Sequence, residues 1–227
     1  RRAAGAGSTA RVIVNYHGVD LDRFPPRAAE PSGDVPYLVS CGSLQIYKGH
    51  HLLIQACSKL ERPFRLVIIG DGLQRANLEA LARQLGIADR VTLTGPLSQA
   101  DVAQWYAKAH VFVLASIAFD RTGKRDVIPN VLAEAMAMKV PVVATRISGI
   151  HELVEDGISG RLVTSGDPDA LAAVLEELLA NPAERQRLAE GGYRRVREIF
   201  DRKINIQELA ALFAPDAVQP PTGTRDF

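Results

Sequence analysis

Apolar residues fall in short continuous runs at 10–15 (ARVIVN), 36–42 (PYLVSCG), 64–70 (FRLVIIG), 90–95 (RVTLTG), 110–116 (HVFVLAS) and 140–145 (VPVVAT). Most are rich in Val, Ile and Leu without polar alternation, as strands covered on both faces must be. Between them the pattern changes to apolar positions three and four residues apart, at 48–62, 73–86, 98–110 and 129–139, each segment ending near Gly, Lys or His. That spacing predicts amphipathic helices. Ser98 stands as the N-cap of the third, with Asp101 completing a capping box. Strand–helix–strand repeated five times predicts a doubly wound α/β domain with a parallel sheet and right-handed crossovers. From 167 onward the pattern is helical only, through DPDALAAVLEELLAN, PAERQRLAEGGYRRVREIF and RKINIQELAALF. Residues 12–213 are expected to form the domain, with 1–11 a flexible N-terminal segment and 214–227 a disordered tail without periodicity.

Composition mainly excludes. The 227 residues suffice for a sizeable core, and a net charge of +1 leaves no basic excess with which to neutralise nucleic-acid phosphates. The two cysteines, Cys41 and Cys57, are too few for a disulfide framework and lack metal-ligand spacing; they read as buried core thiols in a reducing compartment. No apolar run approaches a membrane span and no signal-peptide pattern is present, so a cytoplasmic location is expected. Arg194, Arg195 and Arg197 read as a solvated helix face, with peripheral contact to the inner face of a membrane as the alternative. The opening RRAAGAGSTAR, without an initiator methionine, reads as a fragment or a processed chain.

A doubly wound sheet binds its ligand at the carboxyl ends of the strands, so the loops there carry the candidate chemistry. After 36–42, Gly42 permits a tight exit and Lys48–Gly49 precedes a helix. A lysine is misplaced at a helix N-terminus unless an anion sits between them; the alternative is a solvated surface lysine. Gly70 and Gly72 flank Asp71, either to let backbone approach a ligand or to make a turn, and the spacing is not a dinucleotide fingerprint. Thr94 and Gly95 begin a further Gly-Pro turn. After 110–116 a long polar loop runs into a helix, with Pro129 suited to its first turn, Asp126 just before it and Glu134 inside it. Two carboxylates flanking a helix N-terminus can grip hydroxyls on either side of an anion held there, the order of groups in a sugar–diphosphate–ribose. The plainer readings are Glu134 paired with Lys139 or another base and Asp126 capping the helix. Ser148–Gly149 adds a turn able to approach the ligand, and Glu152 beyond it also reads as a surface acid.

These stretches resemble the C-terminal, donor-binding half of a retaining glycosyltransferase of the GT-B fold, in the large family 4 (glycosyltransferase group 1). YHGVDLDRF (16–24) is similar to the family's Asn-Gly-Val-Asp segment with His17 in place of Asn; CGSLQIYKGHHLLIQA to its Gly-Arg-Leu…Lys-Gly segment; DVIPNVLAEAMA to its acid-x7-acid motif; and VPVVATRISGIHELVEDGISGRLV to the segment after it. The resemblance spans about residues 12 to 170. It implies a Rossmann-like sheet with a helical C-terminal end. It implies that Lys48 contacts the donor diphosphate, with Gly42 and Ser43 beside it, and that Asp126 contacts the transferred hexose. The backbone of Val127, Ile128, Pro129, Asn130 and Val131 would lie along sugar and diphosphate, Glu134 would hold the ribose hydroxyls, and Thr94 and Gly95 would lie near the nucleobase. The implied reaction is transfer of a sugar from a UDP- or GDP-linked donor with retention of configuration, without cofactor or metal, in polysaccharide biosynthesis. The Asp-x-Asp segment Asp20-Leu21-Asp22 reads as turn chemistry. An N-terminal acceptor-binding domain is absent from this chain, so the chain is expected to bind nucleotide and turn over nothing by itself.

Three departures from the family pattern stand out. Ser43 replaces the diphosphate-binding Arg, a loss that Arg121, Lys124 or Arg125 are placed to offset; Asp126 is one methylene shorter than the commoner Glu; and Val127 replaces Gly. They keep open a degenerate nucleotide-sugar-binding or scaffolding module, and more distantly a sugar epimerase of the same fold.

Overall fold

The computed structural model describes residues 13–117 and 126–213. Its centre is a six-stranded sheet, β1 (Tyr37–Cys41), β2 (Arg65–Ile69), β3 (Val91–Gly95), β4 (Val111–Leu114), β5 (Val142–Thr145) and β6 (Arg161–Val163), in the order β3-β2-β1-β4-β5-β6. Every pairing is parallel. The chain winds outward through β1, β2 and β3, then crosses back to place β4 on the other side of β1. The sheet therefore has its topological switch point between β1 and β4, where a doubly wound fold opens a crevice.

The side chains show why these strands read as unbroken apolar runs. Val39, Val67, Ile69, Phe112, Leu114, Val142 and Ala144 enter one core with helices α3 (Gln99–Lys108), α4 (Asn130–Ala137), α5 (Ile150–Leu153) and α7 (Pro182–Ile199). Leu38, Leu66, Ile68, Val111, Val113 and Val143 enter the other, under α1 (His50–Cys57), α2 (Arg75–Gln84) and α6 (Pro168–Ala180). With both faces covered, alternation in side-chain direction no longer appears as alternation in polarity.

The predicted helices stand with shorter bounds. Ser98 caps α3 as expected, accepting from the Asp101 N–H at 3.2 Å and donating to its carboxylate at 2.6 Å. Three expectations change. The run 10–15 is not a strand over its described part: Ile13 and Val14 are exposed, and Ile13–Asn15 is irregular. The sixth strand is instead β6, short and bounded by Gly160. The helix expected over 48–62 begins at His50, after a 3-10 turn Ile46–Lys48. The segments 1–12 and 214–227 lie outside the described residues, as do Arg121, Lys124 and Arg125.

The incoming and outgoing segments are tied together. The Val19 N–H donates to Phe200 O at 2.7 Å, and the N–H of Arg202, the first residue of α8 (Arg202–Leu212), donates to Val19 O at 3.1 Å. Asp20 pairs with Arg202 at 2.7 Å and Asp22 with Lys203 at 2.6 Å, so the Asp-x-Asp segment serves this clamp. Of the three arginines, Arg194 and Arg197 are exposed, whereas Arg195 turns inward to the Glu152 carbonyl at 2.8 Å and leaves the solvated face.

Candidate functional site

The loops after β1 and β2 interlock before they reach the crevice. The Gly42 N–H donates to Ile69 O at 2.9 Å, the Leu44 N–H to Asp71 O at 2.9 Å, and the Gln74 N–H to Leu44 O at 3.0 Å. A Cβ at Gly72 would meet the Leu44 carbonyl oxygen at 2.7 Å, so the glycines around Asp71 serve loop packing. The loops after β1 and β4 are joined in the same way by Ile117 N–H to Tyr47 O at 2.8 Å.

At this junction the Lys48 side chain runs over Gly42 and donates from Nζ to Asp126 Oδ1 at 2.6 Å. Ser116, fully buried at the end of β4, donates to Asp126 Oδ2. The Ser116 carbonyl in turn accepts from Thr145 Oγ1 at 2.5 Å and Ser165 Oγ at 3.3 Å. Asp126 is only 8% exposed. A carboxylate this buried is tolerable because both its oxygens are engaged, one by a cation. It does not cap α4, whose N-cap is Pro129 without a side-chain bond. Pro129 thus sits one position earlier than expected, and the first-turn N–H groups of Asn130 and Val131 have no side-chain cap, an electropositive end.

Glu134 lies on α4 over one turn further on, and its surroundings differ. Tyr106, fully buried on α3, donates to Glu134 Oε2 at 3.2 Å. Oε1 accepts no hydrogen bond among the described residues. Lys139 pairs with Glu190 at 2.8 Å, which removes the surface-pair reading of Glu134. Burial raises the Glu134 pKa above the usual carboxylate range, and the Tyr106 hydroxyl lowers it in part. A group whose folded pKa is raised contributes stability at low pH that is lost as pH rises through that pKa. Glu134→Gln is therefore expected to hold or raise the melting temperature at pH about 7, the difference closing as pH falls through about 4.5, where Glu134 is protonated in both states. Thermal unfolding of the two proteins across that range checks it.

The remaining expected positions divide. Ser43 is exposed on the loop, and only its carbonyl is engaged, by the Gln45 N–H at 2.8 Å. Val127 is 66% exposed, and its carbonyl accepts from the Gly149 N–H at 3.2 Å, so the Ser148–Gly149 turn packs against this loop with Ile128 beside it. Asn130 Oδ1 accepts from His17 Nε2. Glu152 is not a plain surface acid: Tyr16 donates to its Oε2 at 2.5 Å. Thr94 and Gly95 end β3, two strands from β1, and share no contact with Lys48 or Asp126; the Thr94 hydroxyl donates to the Gly95 carbonyl at 2.8 Å. Cys57 is buried, but Cys41 is only half-buried, at the end of β1 beside Tyr106. His50, first in α1, is buried, and neither ring nitrogen has a hydrogen-bond partner among the described residues; burial drives its pKa down to about 3, so it is neutral behind Lys48. Ser116 and Tyr106 were not singled out in sequence, the one closing an apolar run and the other reading as a core aromatic.

The family model of the glycosyl transferases group 1 matches residues 23–195. A D-inositol 3-phosphate glycosyltransferase of Xylanimonas cellulosilytica is 36% identical over 198 residues, covering 80% of this chain and 46% of the relative. The lipopolysaccharide core biosynthesis glycosyltransferase LpsE of Rhizobium meliloti is 34% identical, covering 85% and 54%. The chain spans about half the length of the curated relatives it matches. Among solved structures, Anabaena Alr3699/HepE in complex with UDP and glucose superposes with a TM-score of 0.78 at 23% identity, over 88% of this chain and 56% of that one, a likeness of fold. From a family match across most of its length and relatives above one-third identity, the chain belongs to the glycosyl transferases group 1.

Proposed function

We propose that this chain is the donor-binding half of a retaining glycosyltransferase that moves a sugar from a nucleoside-diphosphate sugar to an acceptor. The observation that carries this reading is Glu134: a half-buried carboxylate with one oxygen fixed by the protein and the other without a partner among the described residues. Its cost is recovered when a ligand's hydroxyls bind there. The uncapped N-terminus of α4 and Lys48 supply positive potential for the diphosphate. Asp126, beyond it, is the group for the hexose hydroxyls, with a spare lone pair on each oxygen. Thr94 and Gly95 at the end of β3 suit the nucleobase.

In this reading the anomeric C–O bond to the diphosphate breaks while the acceptor oxygen bonds to the same face of the sugar. The acceptor proton passes to the departing phosphate oxygen, and Lys48 and the α4 end stabilise the charge that develops there. The donor is a UDP- or GDP-linked sugar, and no metal or cofactor takes part. The acceptor, a lipid-linked or polysaccharide intermediate, belongs to an N-terminal half, so this chain alone binds nucleotide without turnover. Peripheral membrane contact follows from such an acceptor.

Calorimetric titration of this chain with UDP, GDP, ADP and dTDP tests the reading. One nucleotide is expected to bind, and Glu134→Gln to weaken it about tenfold or more, the loss of a charged hydrogen bond worth about 1.5–3 kcal/mol. Unchanged affinity in the folded variant overturns it.

A further inference from the structure

We propose that Tyr106 is a positioning residue for nucleotide binding: its buried hydroxyl orients the Glu134 carboxylate so that Oε1 is presented to the ligand. The inference rests on the reading of Glu134 above and adds a residue that touches no ligand.

The need for a hydroxyl here does not come from packing. Tyr106 is fully buried, its ring lies edge-on to Phe112 at 5.4 Å and tilted against Phe24 at 6.2 Å, and phenylalanine would fill the same space. A phenol oxygen in such a place is costly unless it is bonded. It is bonded to Glu134 Oε2 at 3.2 Å, with the Cys41 thiol at the end of β1 as its second partner. The Glu134 carboxylate carries no other hydrogen bond among the described residues, so this contact is the one polar group of the protein that orients it there. Without it, the side chain on α4 keeps rotamers that turn the acid away from the crevice, and each must be abandoned on binding. The hydroxyl also decides the charge state. A donor to a carboxylate favours its ionised form, opposing the burial that disfavours it. Besides Tyr106 on α3, the titratable group facing Glu134 is the Cys41 thiol at the end of β1, whose pKa burial raises to about 11, so it stays protonated and neutral. Lys48, the nearby cation felt at Cys41, is committed to Asp126.

The test is a cycle of four chains: wild type, Tyr106→Phe, Glu134→Gln and the double variant. Each is titrated calorimetrically with whichever of UDP, GDP, ADP or dTDP the wild type binds, at several pH values from about 5 to 8. Tyr106→Phe is expected to weaken binding about fivefold at neutral pH. Its affinity should also fail at a higher pH than that of wild type, since Glu134 protonates sooner. In the Glu134→Gln background the same change should cost less than about twofold, because the carboxylate it orients is gone. Equal losses in both backgrounds, or a loss without displacement of the pH profile, would reduce Tyr106 to core packing and overturn the inference. Unchanged affinity in Tyr106→Phe overturns it too. If wild type binds and Glu134→Gln does not, while Tyr106→Phe binds normally, this inference alone fails. If folded wild type binds none of the four nucleotides, the donor-site reading fails with it.

Discussion

Lys48→Met is expected to lose about 3 kcal/mol of stability and, in the same protein, to weaken nucleoside-diphosphate binding by tenfold or more. The side chains of Lys48 and Asp126 are only 13% and 9% exposed. Removing the cation leaves a buried carboxylate with Ser116 as its remaining partner among the described residues, and an uncompensated buried charge costs far more than a surface pair is worth. The double change Lys48→Met, Asp126→Asn removes both charges and is expected to restore most of the stability while leaving binding weak. Urea unfolding of the three proteins beside calorimetry separates the two effects. A double variant that binds nucleotide like wild type would take Lys48 out of the diphosphate site.

The second large effect is expected at Gly49, the junction between the 3-10 turn and α1. Its φ of 67° is left-handed, and a Cβ there would lie 1.8 Å from the Ala115 carbonyl oxygen. Gly49→Ala must therefore adopt a disfavoured backbone, at about 1–2 kcal/mol, and also push α1 off the end of β4. A total loss of about 3 kcal/mol or more corresponds to a fall of about 10 °C in melting temperature for a domain of this size. Because Lys48 precedes Gly49 and Ser116 follows Ala115, the shift also pulls apart the two loops that hold the ion pair. Nucleotide affinity should fall with stability here, unlike in Glu134→Gln, where the two are expected to part. A Gly49→Ala protein that melts with wild type would contradict the close approach of α1 to β4.

The central strands were legible because a parallel sheet buried on both faces turns sequence into uninterrupted Val, Ile and Leu. The same rule misread Ile13, Val14 and Asn15, which have strand composition but join no strand of the sheet, and passed over the three residues of β6. The acids at 126 and 134 and Lys48 were legible because they interrupt loops and helix faces where burial alone has no use for charge. What holds them was not. Ser116 reads as the polar end of a strand and Tyr106 as one more aromatic on a helix, and each acquires its partner only when β4 meets the loop before α4, or α3 meets α4. Arg195 shows the converse: charge counted along a helix assigned it to solvent, whereas packing of α7 against α5 turns it onto the Glu152 carbonyl.

The clamp between the incoming and outgoing segments has a mechanical consequence. The parallel bridge of Val19 to Asp201 joins them, with Tyr16 stacked on Phe200 at 4.7 Å and the ion pairs of Asp20 with Arg202 and Asp22 with Lys203 around it. Tension applied across these two segments falls first on that bridge and on the buried Val19, Phe200 and Tyr16 side chains beneath it. The six strands are loaded only afterwards. The clamp thus bears strain carried along the chain before it can part β1 from β4, where the crevice is held.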